Sequence, residues 1–264
     1  MTSSIRAIAY APEHGFRGEG DLYLPENAAG APAVLVIHGG GWQAMDRFRF
    51  DAVCAMLAAH GFAAFNINYR LAGAAPWPAC GDDCLRAARF LLDAGHSAMQ
   101  PLARGRIAVL GASAGGHLAL MTGLRLPADR VAGIVDIAGP SDLAALWEHH
   151  GPQKFGKLFG SPDVSREVLD AASPVSYVTA AAPPLLCVQS TNDRLVPPDQ
   201  TERIAAQYAR HGRPCAIHWF AGAGEAHGIW RPSAAPAPDL LVPVEERIKA
   251  FLADCLIETS GPIP

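Results

Sequence analysis

The sequence predicts an α/β fold: a mostly parallel central sheet with helices on both faces. Three observations point to it. Short apolar, β-branched runs alternate with segments of helical spacing along most of the chain. The runs, such as AVLVI at 33–37, show no in–out alternation, as expected of strands buried on both faces. The glycine-rich and polar motifs begin where such runs end, and that is where ligand sites lie in parallel sheets.

Strands are expected at residues 21–24, 33–37, 62–69, 107–110, 131–137, 185–189 and 216–220. Helices are expected at 48–60, closed by Gly61, and at 82–94, closed by Gly95. Further helices are expected at 114–124, 198–211 and 244–256. Residues 143–177 break the rhythm and read as a small insertion that either shapes a pocket or merely covers one end of the sheet. The stretch RPSAAPAPD at 231–239 reads as a connection, and the tail 260–264 as frayed. With no repeat or long linker, residues 1–264 read as a single domain.

Half of the 264 residues are hydrophobic, enough for a large core. The net charge of −4 and the lack of a basic block argue against nucleic acid as a partner. The apolar runs are strand-sized, far short of the roughly 20 residues of a membrane span, and the first residues do not resemble a signal peptide. A cytoplasmic location is expected, and the oligomeric state stays open, a homodimer included. The six cysteines have no CxxC spacing, so no metal site is expected; Cys80 and Cys84 are near enough in sequence for a bridge, disfavoured in a reducing compartment.

Gly111-Ala112-Ser113-Ala114-Gly115 matches G-x-S-x-G and lies between a strand and a helix, the context that motif needs. The glycines permit a strained turn that lifts a serine hydroxyl above the sheet. Ser113 is therefore the expected nucleophile; a helix-capping serine is the bland alternative. His38-Gly39-Gly40-Gly41-Trp42 follows the strand 33–37. Three consecutive glycines are costly to order, and make sense if backbone N–H groups must approach a reacting oxygen. The N–H groups of Gly40, Gly41 and Ala114 are assigned to an oxyanion hole. A phosphate loop would need a GK[ST] ending, which is absent. His38 reads as a hydrogen-bonding strut.

The acid and base follow from chain order, serine then carboxylate then histidine. Asp193 stands after the strand 185–189 and can hold an imidazole through Nδ1–H; Asp136 and Asp142 are runners-up, and Asp199 reads as a helix N-terminal residue. Of ten histidines, His227, in the glycine-flanked loop GEAHG after the strand 216–220, stands where the base should be. His218 falls inside a strand, His60 and His211 precede helix-ending glycines, His149 and His150 lack an evident carboxylate, and His117 is expected to pack locally. Trp42, Trp77, Trp147 and Trp230 are candidate pocket residues, Trp42 on the acyl side.

Together, DLYLP, HGGGW, GASAGGHLAL, SPVSYV, the Asp193 segment and GEAHG resemble the esterase/lipase branch of the α/β-hydrolase superfamily. The likeness is greatest to carboxylesterases of the feruloyl-esterase-like BD-FAE type, with hormone-sensitive-lipase-like esterases and kynurenine formamidases as neighbours. It implies an α/β-hydrolase fold without a large N-terminal cap and serine hydrolysis of small or short-acyl esters without cofactor or metal. The alternatives are an arylformamidase acting on a formamide, weakened because formamidases carry an aromatic residue where this chain has Gly41, and a non-catalytic binding protein of the same fold.

Overall fold

The computed structural model describes residues 2–221, 227 and 239–257. Its strands are β1 (Ser3–Ala9), β2 (Glu19–Leu24), β3 (Ala33–Ile37), β4 (Ala63–Ile67), β5 (Ile107–Ala112), β6 (Val131–Ile137), β7 (Leu185–Ser190) and β8 (Cys215–Phe220). They form one eight-stranded sheet in the order β1-β2-β4-β3-β5-β6-β7-β8. The β1–β2 and β2–β4 pairs are antiparallel and the rest parallel.

The helices are α1 (Asp51–Ala59), α2 (Ala79–Leu92), α3 (Ala114–Arg125), α4 (Leu143–His150), α5 (Pro152–Phe159), α6 (Arg166–Ala171), α7 (Asp199–Arg210) and α8 (Val242–Leu256). No described helix is long and apolar enough to cross a membrane. Strand β3 shows why its sequence is apolar throughout. Leu35 and Ile37 join a core with residues of α2, α3 and α7, whereas Val34 and Val36 join a second core with α1 and α8. A strand buried on both faces has no polar side to alternate with.

The parallel register aligns the strand ends that matter. Ile37 pairs with Gly111, so the HGGGW loop and the GASAG turn leave the sheet side by side. Ser190 and Phe220 pair at the ends of β7 and β8, which bring in Asp193 and His227. Unlike the expected start at residue 21, the sheet begins with β1, a mostly exposed edge strand with a register shift between Ile5 and Ile8. The helix expected from residue 48 opens as a 3-10 turn (Arg47–Phe50), with the Asp46 carboxylate accepting from Phe48 N, before α1 begins. Helix α2 starts three residues earlier than expected, at Ala79. The 143–177 segment holds α4, α5, α6 and a 3-10 turn (Pro174–Tyr177). Cys80 and Cys84 are buried free thiols, not a bridge.

Candidate active site

Ser113 occupies the turn between β5 and α3 with φ 56° and ψ −124°. An L-residue at positive φ is strained, so neighbours must hold it. Ser113 N donates to Ile137 O (2.8 Å), and its own carbonyl accepts from His117 N (3.0 Å). The turn also requires close backbone approach. A Cβ at Gly115 would stand 2.2 Å from Ile37 O, and one at Gly111 would stand 2.1 Å from Gly115 O. The glycines of G-x-S-x-G are therefore demanded by packing, and a mere helix-capping role for Ser113 is not seen: its side chain makes no cap hydrogen bond.

The hydroxyl of Ser113 donates to His227 Nε2 at 2.8 Å. His227 Nδ1–H donates to Asp193 Oδ2 at 2.7 Å. Asp193 is buried, and its other oxygen accepts from Leu195 N (2.8 Å) and Val196 N (3.0 Å). These bonds fix the carboxylate plane, and through Nδ1 they set the imidazole tautomer that presents a lone pair to Ser113.

The runners-up for the acid lie elsewhere. Asp142 caps α4, accepting from Ala145 N (3.0 Å), and pairs with Arg203 (3.2 Å). Asp136 is buried in β6, with Oδ1 turned toward the Gly116 and Gly139 backbone, and burial raises its pKa well above the carboxylate range. Asp199 begins α7 and pairs with Arg203 one turn on (3.0 Å).

The glycine loop turns tightly over Ser113. Gly40 (φ 108°) accepts from Gln43 N and Ala44 N, both at 3.0 Å. A Cβ at Gly40 would fall 2.2 Å from Ala44 O, so only glycine closes this turn. Gly39 packs against the nucleophile turn, its missing Cβ 2.9 Å from Ala112 O. Gly40 and Gly41 line the same cavity as Ser113 and His227, and Ala114 opens α3, where backbone N–H groups favour an anion.

Two histidine rings brace the loop, and neither bonds the Ser113 hydroxyl. His38 is buried, stacks on Tyr69 (4.3 Å between centroids) and bonds Gly39 O through Nδ1 (2.7 Å). Burial lowers its pKa to about 3, so it is a neutral strut. His117, on α3, accepts from Trp42 Nε1 at Nδ1 (3.1 Å) and donates from Nε2 to Ala172 O (2.8 Å).

Of the candidate pocket tryptophans, Trp42 lines a cavity next to Ser113. Trp77 and Trp147 do not line either cavity at Ser113: Trp77 packs against His117 (5.5 Å) and over Gly81, and Trp147 against Phe159 (5.9 Å). Trp230 lies outside the described residues. Phe155, in the 143–177 segment expected either to shape a pocket or to cover one end of the sheet, does line the site, as do Leu195, Met45 and Phe50, which were not singled out in the sequence. Of these last three, only Leu195 carried a signal, being two residues from Asp193.

The BD-FAE family profile matches residues 20–208. The chain is 29% identical over 254 residues to dipeptidyl aminopeptidase BIII of Pseudoxanthomonas mexicana, covering 89% of this chain and 35% of that protein. It is 30% identical over 229 residues to esterase LipC of Mycobacterium tuberculosis, covering 75% of this chain and 53% of that protein. It thus spans between about a third and about half of these curated relatives. A carbohydrate esterase from gut microbiota, in truncated form, superposes with a TM-score of 0.80 at 22% identity, over 96% of this chain and 95% of that one. The propionate-bound esterase Est2 of Thermogutta terrifontis does so with a TM-score of 0.75 at 22% identity, over 98% and 96%. With a profile match across most of its length, the chain belongs to the BD-FAE family of α/β-hydrolases.

Proposed function

We propose that the chain is a serine hydrolase of small carboxylic esters, acting through Ser113, His227 and Asp193. The observation that carries this reading is the unbroken hydrogen-bonded series from Ser113 Oγ through His227 to Asp193, with Ser113 at positive φ. His227 takes the Ser113 proton as Oγ bonds to the carbonyl carbon. The carbonyl oxygen becomes an oxyanion, facing the N–H groups of Gly40, Gly41 and Ala114. His227 then gives its proton to the departing alkoxide, and the C–O bond breaks to leave an acyl-serine. Water, deprotonated by His227, repeats the attack, releasing the acid and restoring Ser113.

The names of the relatives support ester cleavage, and the Est2 structures carry propionate or butyrate, short acids of the size proposed here. Two readings compete: the formamidase, and a peptidase, since the dipeptidyl aminopeptidase matches 89% of this chain. One panel separates them: p-nitrophenyl acetate, N-formylkynurenine and a dipeptide p-nitroanilide. The ester should have the highest kcat/KM. A fluorophosphonate should label Ser113, and Ser113→Ala should abolish labelling and cut kcat by about 10⁶, as in a protease precedent. Near-normal turnover by Ser113→Ala would reject the assignment, and an inert, unlabelled wild type would favour the binding-protein reading.

A further inference from the structure

Among the described residues, Ser113 stands between two unequal chambers. The larger, about 190 Å³, is contacted by His227, Ala112, Phe50, Ile137 and Met45. The smaller, about 70 Å³, is contacted by Trp42, Ala114, Pro140, Phe155 and Val196, and His227 is not among its walls. Gly41, Ser113 and Leu195 border both.

A tetrahedral carbon on Ser113 Oγ carries three other groups: the oxyanion, the acyl substituent and the leaving oxygen. The leaving oxygen must be within reach of His227 Nε2, which protonates it, so the alcohol belongs on the side that His227 lines. The oxyanion faces the backbone donors. The acyl substituent is left with the chamber that His227 does not line. We propose that the 70 Å³ chamber is the acyl site, that Phe155 closes it, and that the alcohol lies in the larger chamber. This rests on the esterase reading above.

The walls decide what fits. A cavity of roughly 150 Å³ takes benzene, so a chamber of less than half that volume takes an acetyl or propionyl group but not a ring. Trp42 cannot swing away to enlarge it. It is 3% exposed, its Nε1–H is committed to His117, and its ring meets Phe155 edge to face at 6.0 Å. Phe155 is the wall that substitution can remove. It comes from α5, in the segment that interrupts the strand–helix rhythm, and leans on His150 (5.5 Å). The inserted segment thus sets acyl length while leaving the alcohol side to other elements.

Benzyl acetate and methyl phenylacetate test this directly. They are isomers with leaving alcohols of similar acidity, differing in which side of the carbonyl bears the ring. Benzyl acetate should be preferred by about tenfold or more in kcat/KM, and p-nitrophenyl acetate should exceed the hexanoate by a similar factor. Phe155→Ala should raise turnover of methyl phenylacetate and the hexanoate selectively, narrowing both ratios by about tenfold. Phe155→Leu, a milder truncation, should shift them in the same direction and serves if the alanine variant does not fold. Failure of a fluorophosphonate to label Ser113 would overturn both the esterase reading and the chamber assignment. Labelling with a wild-type preference for methyl phenylacetate, or with Phe155 variants whose acyl profiles parallel the wild type, would overturn the chamber assignment alone.

Discussion

Replacing Asp193 by Asn exchanges one atom behind His227 and reverses what the imidazole can do. Asp193 Oδ1 accepts from two backbone N–H groups, those of Leu195 and Val196, whereas Oδ2 accepts from His227 Nδ1–H at 2.7 Å and, at a longer 3.4 Å, from Gln189 Nε2. The asparagine amide has one oxygen. Pointing it at the backbone keeps two bonds and turns the NH2 toward His227. Pointing it at His227 keeps that bond and the long Gln189 contact but sets the NH2 against two backbone donors, each costing about 1–3 kcal/mol. The first orientation therefore wins. His227 then accepts at Nδ1 and carries its proton on Nε2, facing Ser113 with a donor where a base is required. The same exchange in a protease triad costs about 10⁴ in kcat, or about 5.4 kcal/mol. Asp193 lines neither chamber, so KM should change little. The test is kcat and KM on p-nitrophenyl acetate beside a urea denaturation curve. The variant should fold, bind and turn over on the order of 10⁴-fold more slowly. A kcat within tenfold of wild type would refute the argument, and a comparable loss in Asp142→Asn would move the acid to the α4 cap.

The remaining predictions concern the scaffold. Gly41→Ala, whose Cβ meets no neighbour at φ 57°, should cost only about 1–2 kcal/mol of stability but puts a methyl into the space that borders both chambers and so lowers turnover, whereas Gly40→Ala, with its Cβ 2.2 Å from Ala44 O, should disturb the loop itself and lower kcat by about 10² or more; kcat and Tm of both variants check this. Asp21→Ala should destabilise by about 3–5 kcal/mol in urea, because it leaves Arg47, 3% exposed and 3.0 Å from Asp21, with the longer Glu19 contact as its ion pair beside the Phe16 and Phe48 rings, while Arg6→Ala, at the exposed end of the same cluster, should cost no more than about 1 kcal/mol. Burial lowers the His117 pKa to about 4, below the roughly 6.5 of an unfolded histidine. Between those values the unfolded chain binds the extra proton. The stability of the neutral ring is thus complete above about pH 6.5 and lost as pH falls toward 4, by about 3 kcal/mol in all. His117→Gln should flatten that limb by about 1.4 kcal/mol per pH unit in urea curves from pH 7 to 4.5, and an unchanged slope would contradict it.

What could be read from the sequence follows from how local the cause is. Strands β3, β5, β6 and β7 were legible because burial on both faces forces continuous apolar runs. The G-x-S-x-G turn and the glycine loop were legible because close backbone approach forces glycine at fixed spacing, as at Gly111, Gly115 and Gly40. Strand β1 was not, since an exposed edge strand with a bulge is under no such demand. The walls of the site were legible only in part. Trp77 and Trp147 have the same composition signal as Trp42, yet they turn toward His117 and Phe159, and Phe155 takes the wall position instead. Direction of an aromatic ring in an inserted helix is settled by tertiary packing, which leaves no period in the chain.

The same packing ties the site together through one ring. The glycine loop enters by Trp42, the nucleophile helix carries His117, and the inserted segment offers the carbonyl of Ala172. His117 bonds both partners, but only with its proton on Nε2, because Nδ1 must stay an acceptor for the indole N–H. Protonating Nδ1 would set two donors against each other inside the core, next to the wall that Trp42 supplies to the small chamber. A methyl-sized shift of Trp42 would matter there, since that chamber has less than half the volume that holds benzene. Acidification therefore acts on the acyl wall through His117, which must be neutral to hold it. Loss of that wall is read as a relaxed preference for the acetyl group in an ester panel run at falling pH.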